Sequence, residues 1–424
     1  MTDRDGGFHR SVQDTESRVS SWTSGKPTLQ DLATLGDSPL RRIGKMRAAP
    51  IRRWFVGIER RRFFKLAAIT AGTFLVTRGA HAATPSDNMP DPEEMQAIQR
   101  GGLYVSLRDP EATQLPPEAY TQRFTYSSAP AAPTPGHWSA AAPLPLPRSE
   151  MAWATSEGDR MHVIGGYAAG RVARPYHHVF DTSLGRWIEA APIPRGANHI
   201  GVAALDGVVY AFGGFVEQNR VAVPDCYAYV VADNRWHSIR PLSRGTRGAI
   251  SVVAHEGLLH AIGGRDTRSV DWHEAYDPKG DVWKTLAPVP GPRDHAAAIS
   301  LGDRIHVAGG RMDTFDFNTG MHVAYDAKAD AWEERAPMPT PRSGHGGVAW
   351  RGRFFCMGGE GTRRVFGQNE AYDPNSDAWQ AYSPMLTPRH GMGAAVVGDA
   401  IHVAGGGPMN GGSFQSSVHE VFSV

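Results

Sequence analysis

Two cysteines in 424 residues are too few for a disulfide framework, and Cys226 and Cys356 form no CxxC pair. The apolar run Leu66–Val76 is 11 residues long. That is short of the ~20 residues a helix needs to cross a bilayer, so no membrane span is expected. A basic excess is also missing where a nucleic-acid binder needs one. Residues 1–82 hold 15 Lys+Arg against 7 Asp+Glu, and residues 83–424 hold 29 against 36, so the main body is acidic. Long helical periods are scarce as well. With 48 glycines and 31 prolines, turns punctuate the chain too often for them.

What is present begins with an export signature. Arg60, Arg61, Phe63 and Lys65 stand in "RRRFFK", followed by the apolar run and by Ala80-His81-Ala82, an A-x-A cleavage pattern. This order resembles a twin-arginine (Tat) signal peptide. The resemblance implies passage through the Tat translocase and a periplasmic or secreted mature protein starting near Ala83. Residues 1–45 are polar, without apolar period, and are expected to be disordered. Met46 opens a basic segment of ordinary signal length, so Met46 is expected to be the true start, with residues 46–82 as the signal. Residues 83–135 read as a Pro/Ala-rich linker with one short helix near 92–100.

From residue 136 the chain repeats. Gly-Gly pairs start at Gly165, Gly213, Gly263, Gly309, Gly358 and Gly405, in steps of 48, 50, 46, 49 and 47 residues. Trp138, Trp187, Trp236, Trp283, Trp332 and Trp379 run in phase with them. Each unit reads as four strands: a small apolar strand, a tight turn such as Asp206-Gly207, a strand ending in Gly-Gly, a strand ending in an aromatic–Asp pair, and a strand carrying the Trp. These six in-phase copies resemble the kelch repeat. The resemblance implies an all-β, six-bladed propeller over 136–424, with four antiparallel strands per blade. The chain ends on a third strand, "HEVFSV", and "GHW" at 136–138 is a Trp strand with nothing before it. The N-terminal strand should therefore complete the last blade and close the ring. His162, His260, His306 and His402 fill the aromatic place before the Gly-Gly and are read as packed ring residues. Cys226 and Cys356 fall in blades two and five, too far apart to bridge.

Propellers bind where loops converge on the axis. Arg148, Arg195, Arg247, Arg293, Arg342 and Arg389 each precede their Gly-Gly by 16 to 18 residues. They are expected to line the channel mouth and to attract carboxylates. His199, His295, His345, His390, Asp294 and Ser343 lie beside them and differ between blades, which makes them candidates for specificity. Arg265, Arg311, Glu360 and Trp272 sit in the variable loops between second and third strands. No cofactor and no metal-ligand set is expected. The leading expectation is an exported monomer that binds a protein, a peptide or an acidic sugar. The alternative is an enzyme on acidic sugars, a mutarotase or epimerase similar to the periplasmic neuraminate epimerases. A third, galactose-oxidase-like copper enzyme fits poorly, because Tyr176, His177 and Cys226 supply only fragments of that family's site.

Overall fold

The computed structural model describes residues 104–105, 134–168, 171–362 and 364–424. The Tat motif, the cleavage site, residues 1–45 and the helix near 92–100 lie outside the described residues. Six four-stranded antiparallel sheets are arranged as blades. Blade 2 shows the plan: an innermost strand Gly201–Leu205, then Val208–Phe212, Cys226–Val230 and outermost Arg235–Ile239. The sixth blade takes its outermost strand, His137–Ala140, from the start of the propeller and pairs it with His419–Ser423 near the chain end. Ring closure by the N-terminal strand thus joins two segments of high sequence separation and gives that blade its fourth strand. Backbone pairing also ties Tyr104–Val105 to Gln415–Ser416.

The glycine pairs have a steric cause. Both members take positive φ, as at Gly213 (61°) and Gly214 (110°). A Cβ on Gly213 would stand 2.3 Å from the Arg247 carbonyl oxygen of the next blade. Only glycine accepts that conformation at that approach. Each Trp indole N–H donates to a carbonyl just beyond the preceding blade's last strand: Trp187 to Ala142 (2.8 Å), Trp236 to Ala191 (2.8 Å), Trp332 to Ala287 (2.9 Å) and Trp379 to Ala336 (2.8 Å). The tryptophans therefore fill the wedge and also stitch it.

The ring histidines are packed and paired. His162, His260, His306 and His402 each bond through Nδ1 to the Nε2 of a second buried histidine: His177, His273, His322 and His419, at 2.9–3.0 Å. The second histidine's Nδ1–H donates to the very carbonyl that takes the next blade's Trp: Ala191, Ala287, Ala336 or Ala142. That donation leaves Nε2 of the second ring as the acceptor, so both rings are held neutral. Burial pushes seven of these histidines down to about 3 or 4. It is also the first cause that holds His177 well below its ordinary value. Cys226 and Cys356 are free and buried, and burial pushes both thiols up. Among the described residues no helix is long and apolar enough to cross a membrane.

Candidate functional site

The connection into each innermost strand places one residue on the propeller axis. Glu150, His199, Ala249, His295, Gly344 and Gly391 occupy equivalent positions, all with φ between 51° and 62°. They form a belt joined by backbone bonds from blade to blade: His199 N–H to Glu150 C=O (2.9 Å), Ala249 to His199 (2.8 Å), His295 to Ala249 (3.3 Å), Gly344 to His295 (3.0 Å) and Gly391 to Gly344 (2.9 Å). Glycine meets this left-handed conformation freely, whereas Glu150, His199, Ala249 and His295 each do so at roughly 1 kcal/mol. The cost is borne where four non-glycine side chains converge.

Inside the belt is a space of about 20 Å3, lined by Glu150, Met151, Trp153, His199, Ala249, His295, Gly344, Gly391 and Met392. That is room for about one water molecule. Trp153 also borders the main channel, a cavity of about 240 Å3 walled by the small residues of the innermost strands, such as Ala203, Ala254 and Ala298. One end of the channel is thus sealed by a polar belt, and the rest is lined by short, mostly apolar side chains.

Around the belt runs a buried network of opposite charges. The Glu150 carboxylate meets His199 Nε2 at 3.0 Å and His390 Nε2 at 2.9 Å. His390 Nε2 also stands 3.2 Å from Glu360, and its Nδ1 donates to the Gly407 carbonyl at 2.9 Å. Arg311 reaches Glu360 at 2.7 Å, Asp294 at 3.3 Å and His295 Nε2 at 3.1 Å. His295 Nδ1 bonds Asp294 in turn. Burial alone would raise Glu150, but His199 and His390 outweigh it and hold its carboxyl well below the usual range. Burial likewise opposes charge on His390, yet Glu360 and Glu150 lift it to about 9, so it is an imidazolium at neutral pH. His295 is pushed down to about 4 by burial and by the Arg311 guanidinium, and is neutral. Each buried charge therefore has a counter-charge within bonding distance, which is the condition for leaving water.

The arginines lie elsewhere. Arg148, Arg247, Arg293, Arg342 and Arg389 are at most 2% exposed, and their guanidiniums run back into the blades. Arg247 pairs with Glu274 (3.0 Å), Arg342 with Glu370 (2.5 Å) and Arg389 with Glu420 (2.8 Å), each inside its own blade. Arg148 bonds the Gly165 and Tyr176 carbonyls and His178 Nδ1. Arg293 bonds the Pro290 and Met321 carbonyls. Arg195 is half exposed and pairs with Asp225 at 2.9 Å. A guanidinium does join the belt network, but it is that of Arg311, from a variable loop. Of the other residues named from sequence, His199, His295, His390, Asp294 and Ser343 come together there, with Ser343 Oγ 3.3 Å from Arg311. His345 is buried beside them, edge-on to Trp153. Trp272 is stacked by Arg244 and Arg247, with ring-centre distances of 5.1 and 5.4 Å. Sequence reasoning missed Glu150. Its signal was register: it stands at the belt position that His199 and His295 hold in their own blades.

Comparison with known proteins agrees with this architecture. Residues 134–310 match the model of the KLHDC2/KLHL20/DRC7 Kelch-repeats domain, and residues 341–386 match the Kelch motif. Kelch-like protein 4 of Homo sapiens is 52% identical over 44 residues, which is 10% of this chain and 6% of that protein. Kelch-like protein 1 of Mus musculus is 46% identical over 44 residues, again 10% and 6%. The matched stretch is thus a small fraction of the length of these relatives. A solved structure titled "Structure of YjhT" superposes with a TM-score of 0.58 at 15% identity, covering 66% of this chain and 96% of that one, which speaks to shared fold. Residues 134–424 are therefore a six-bladed propeller built of kelch repeats.

Proposed function

We propose that this chain is a Tat-exported binding propeller, working outside the cytoplasm, that seats a protein or peptide partner over the loops at the belt end of the channel. Kelch propellers typically bind proteins, and the reading rests on one observation. The blade 4 loop that covers the network carries Phe317, 59% exposed, and Met312, 44% exposed. That loop is fixed from below: Phe315 stacks on Arg311 at 4.5 Å, and the Asn318 amide donates to the Glu360 carbonyl at 2.7 Å. Large apolar side chains held out on a rigid loop beside charged groups such as Arg268 and Asp313 are what a partner-facing surface needs. A peptide copurifying with secreted protein should be lost, by at least tenfold, in Phe317→Asp and retained in Leu184→Asp, at the opposite end of the blades. Equal capture by both variants would reject the face. Export is tested by Arg60→Lys with Arg61→Lys, which should leave precursor in the cytoplasm.

One observation favours the enzymatic alternative. Glu150, His390 and Arg311, an acid, a base and a guanidinium with displaced titration, meet in one place. Proton NMR of acidic sugars incubated with the protein would show new anomeric signals, lost in Glu150→Gln, if turnover occurs there. Unchanged spectra would remove those substrates.

A further inference from the structure

The belt gathers a set of donor atoms whose outer hydrogen bonds fix their tautomers. His199 Nδ1 faces Asn198 Oδ1 at 2.5 Å. The Asn198 amide cannot be turned round, because its Nδ2 donates to the Phe215 carbonyl at 3.0 Å. Nδ1 of His199 is therefore the N–H, and its Nε2 is turned to the Glu150 carboxylate. His295 repeats the tautomer: Nδ1 is held by Asp294, and Nε2 accepts from the Arg311 guanidinium at 3.1 Å. Glu150 completes it. Its Oε1 accepts from His390, which leaves Oε2 toward His199. One carboxylate oxygen and two imidazole nitrogens lie within 4.8 Å of one another, and all three residues border the 20 Å3 space at the belt's centre. An imidazole lone pair facing a carboxylate oxygen requires a cation between them, either a proton or a metal ion.

We propose that Glu150 Oε2, His199 Nε2 and His295 Nε2 form a binding site for one divalent transition-metal ion of the zinc class. Two imidazoles and one carboxylate are a borderline donor set that suits such ions and not calcium or magnesium. Each ligand has an outer partner that fixes its orientation: Asn198, Asp294 and His390. Such partners are what hold metal-bound imidazoles and carboxylates elsewhere. Donors about 2.1 Å from an ion sit roughly 3–4 Å apart, so closing the set takes side-chain movements of about an ångström. Arg311 gives up its bond to His295 Nε2 in doing so, and keeps Glu360, Asp294 and Ser343. Ala249, Gly344 and Gly391 fill the remaining belt positions without a donor side chain, which leaves one coordination position open to water or a small anion. The ion would stand between His199 Nε2 and the Glu150 carboxylate, so it adds charge to the network without unpairing any carboxylate. The site stands whether or not a partner binds the loops.

The test uses the full chain without a histidine tag, stripped with EDTA and titrated with zinc against a chromophoric chelator. The expected result is one equivalent bound at submicromolar affinity. Glu150→Gln should weaken binding at least tenfold, and His199→Ala or His295→Ala at least a hundredfold, while the exposed His237→Ala leaves it unchanged. Should the alanine variants fail to fold, zinc-edge X-ray absorption on the wild-type complex decides. It should report two nitrogen neighbours of imidazole type at about 2.0–2.1 Å and a carboxylate oxygen. No stoichiometric zinc, zinc lost equally in His237→Ala, or a shell without imidazoles overturns the assignment.

Discussion

The junctions after blades 1, 3, 4 and 6 differ from those after blades 2 and 5, although all six do the same job. At the first four, a histidine pair supplies a second donor to the carbonyl that the next blade's Trp already uses. At blade 5 the pair is Phe355 and Asn369, whose amide reaches the Ser383 carbonyl at 3.4 Å beside the Trp138 bond of 2.7 Å. At blade 2 it is Tyr210 and Cys226. The thiol turns to Pro224, and Trp283 alone reaches Arg240, at 3.2 Å. Geometry is therefore shared while titration is not. Four junctions hold neutral only as long as the solvent does not force protons on them, and two are indifferent to acid.

That contrast sets the largest expected effect. In the unfolded chain these histidines take protons near 6.5, whereas in the fold most do so only near 3 or 4. Their folded values are depressed, so the stability they contribute is complete above about 6.5 and is lost as the pH falls toward 4. Each group withheld from protonation is worth about 1.4 kcal/mol per pH unit in that window, and four pairs provide eight. His390 works the other way, being raised to about 9, but it is a single group. Calorimetric melting between pH 7.5 and 4 should show a steep, continuous fall, and a flat profile would mean the pairs are not neutral in the fold. The second effect concerns one junction. His322→Ala removes a fully buried ring that bonds both His306 and Ala336, and should cost about 2–4 kcal/mol at pH 7.5 in urea unfolding. The difference from wild type should shrink at pH 5, because the variant no longer withholds that proton. Next in size is a transplant: His306→Phe with His322→Asn gives blade 4 the residues of blade 5. It removes two depressed groups, so the slope of stability against pH should flatten by up to about 2.8 kcal/mol per pH unit, twice the single-proton value.

How far these features could be read from sequence follows from their spacing. The glycine pairs, the tryptophans and the unfinished last repeat recur at a fixed period, and periodicity carries blade number, strand count and closure. The destination of a repeated side chain is not periodic information. The arginines occur in every blade, which suited a charged mouth equally well, yet the glutamates that bind three of them were visible in "HEAYD", "NEAYD" and "HEVFS". Each stands at one place in the third strand of the blades of Arg247, Arg342 and Arg389. The histidine before Gly-Gly reads as packed, but its partner histidine lies 13 to 17 residues away across a loop of variable length, so only the strand register pairs them. The belt network is less legible still. Glu150, Arg311, Glu360 and His390 come from four different blades, and ring closure sets Glu150 of blade 1 beside His390 of blade 6.

The smallest effect separates packing from titration most cleanly. Cys226→Ala deletes one buried sulfur at the blade 2 junction, and the thiol there offers only a 3.5 Å contact to the Pro224 carbonyl. The loss is one of volume and should be about 1 kcal/mol, a single small group in a packed core. Burial pushes that thiol up, so it carries no charge anywhere between pH 5 and 7.5. The cost of Cys226→Ala should accordingly be the same at both ends of that range, whereas the cost of His322→Ala should not. If the cysteine variant instead grows more costly in acid, the neutral junction depends on its histidine-bearing neighbours. The six wedges would then respond to protons as one ring, and not as four sensitive joints and two insensitive ones.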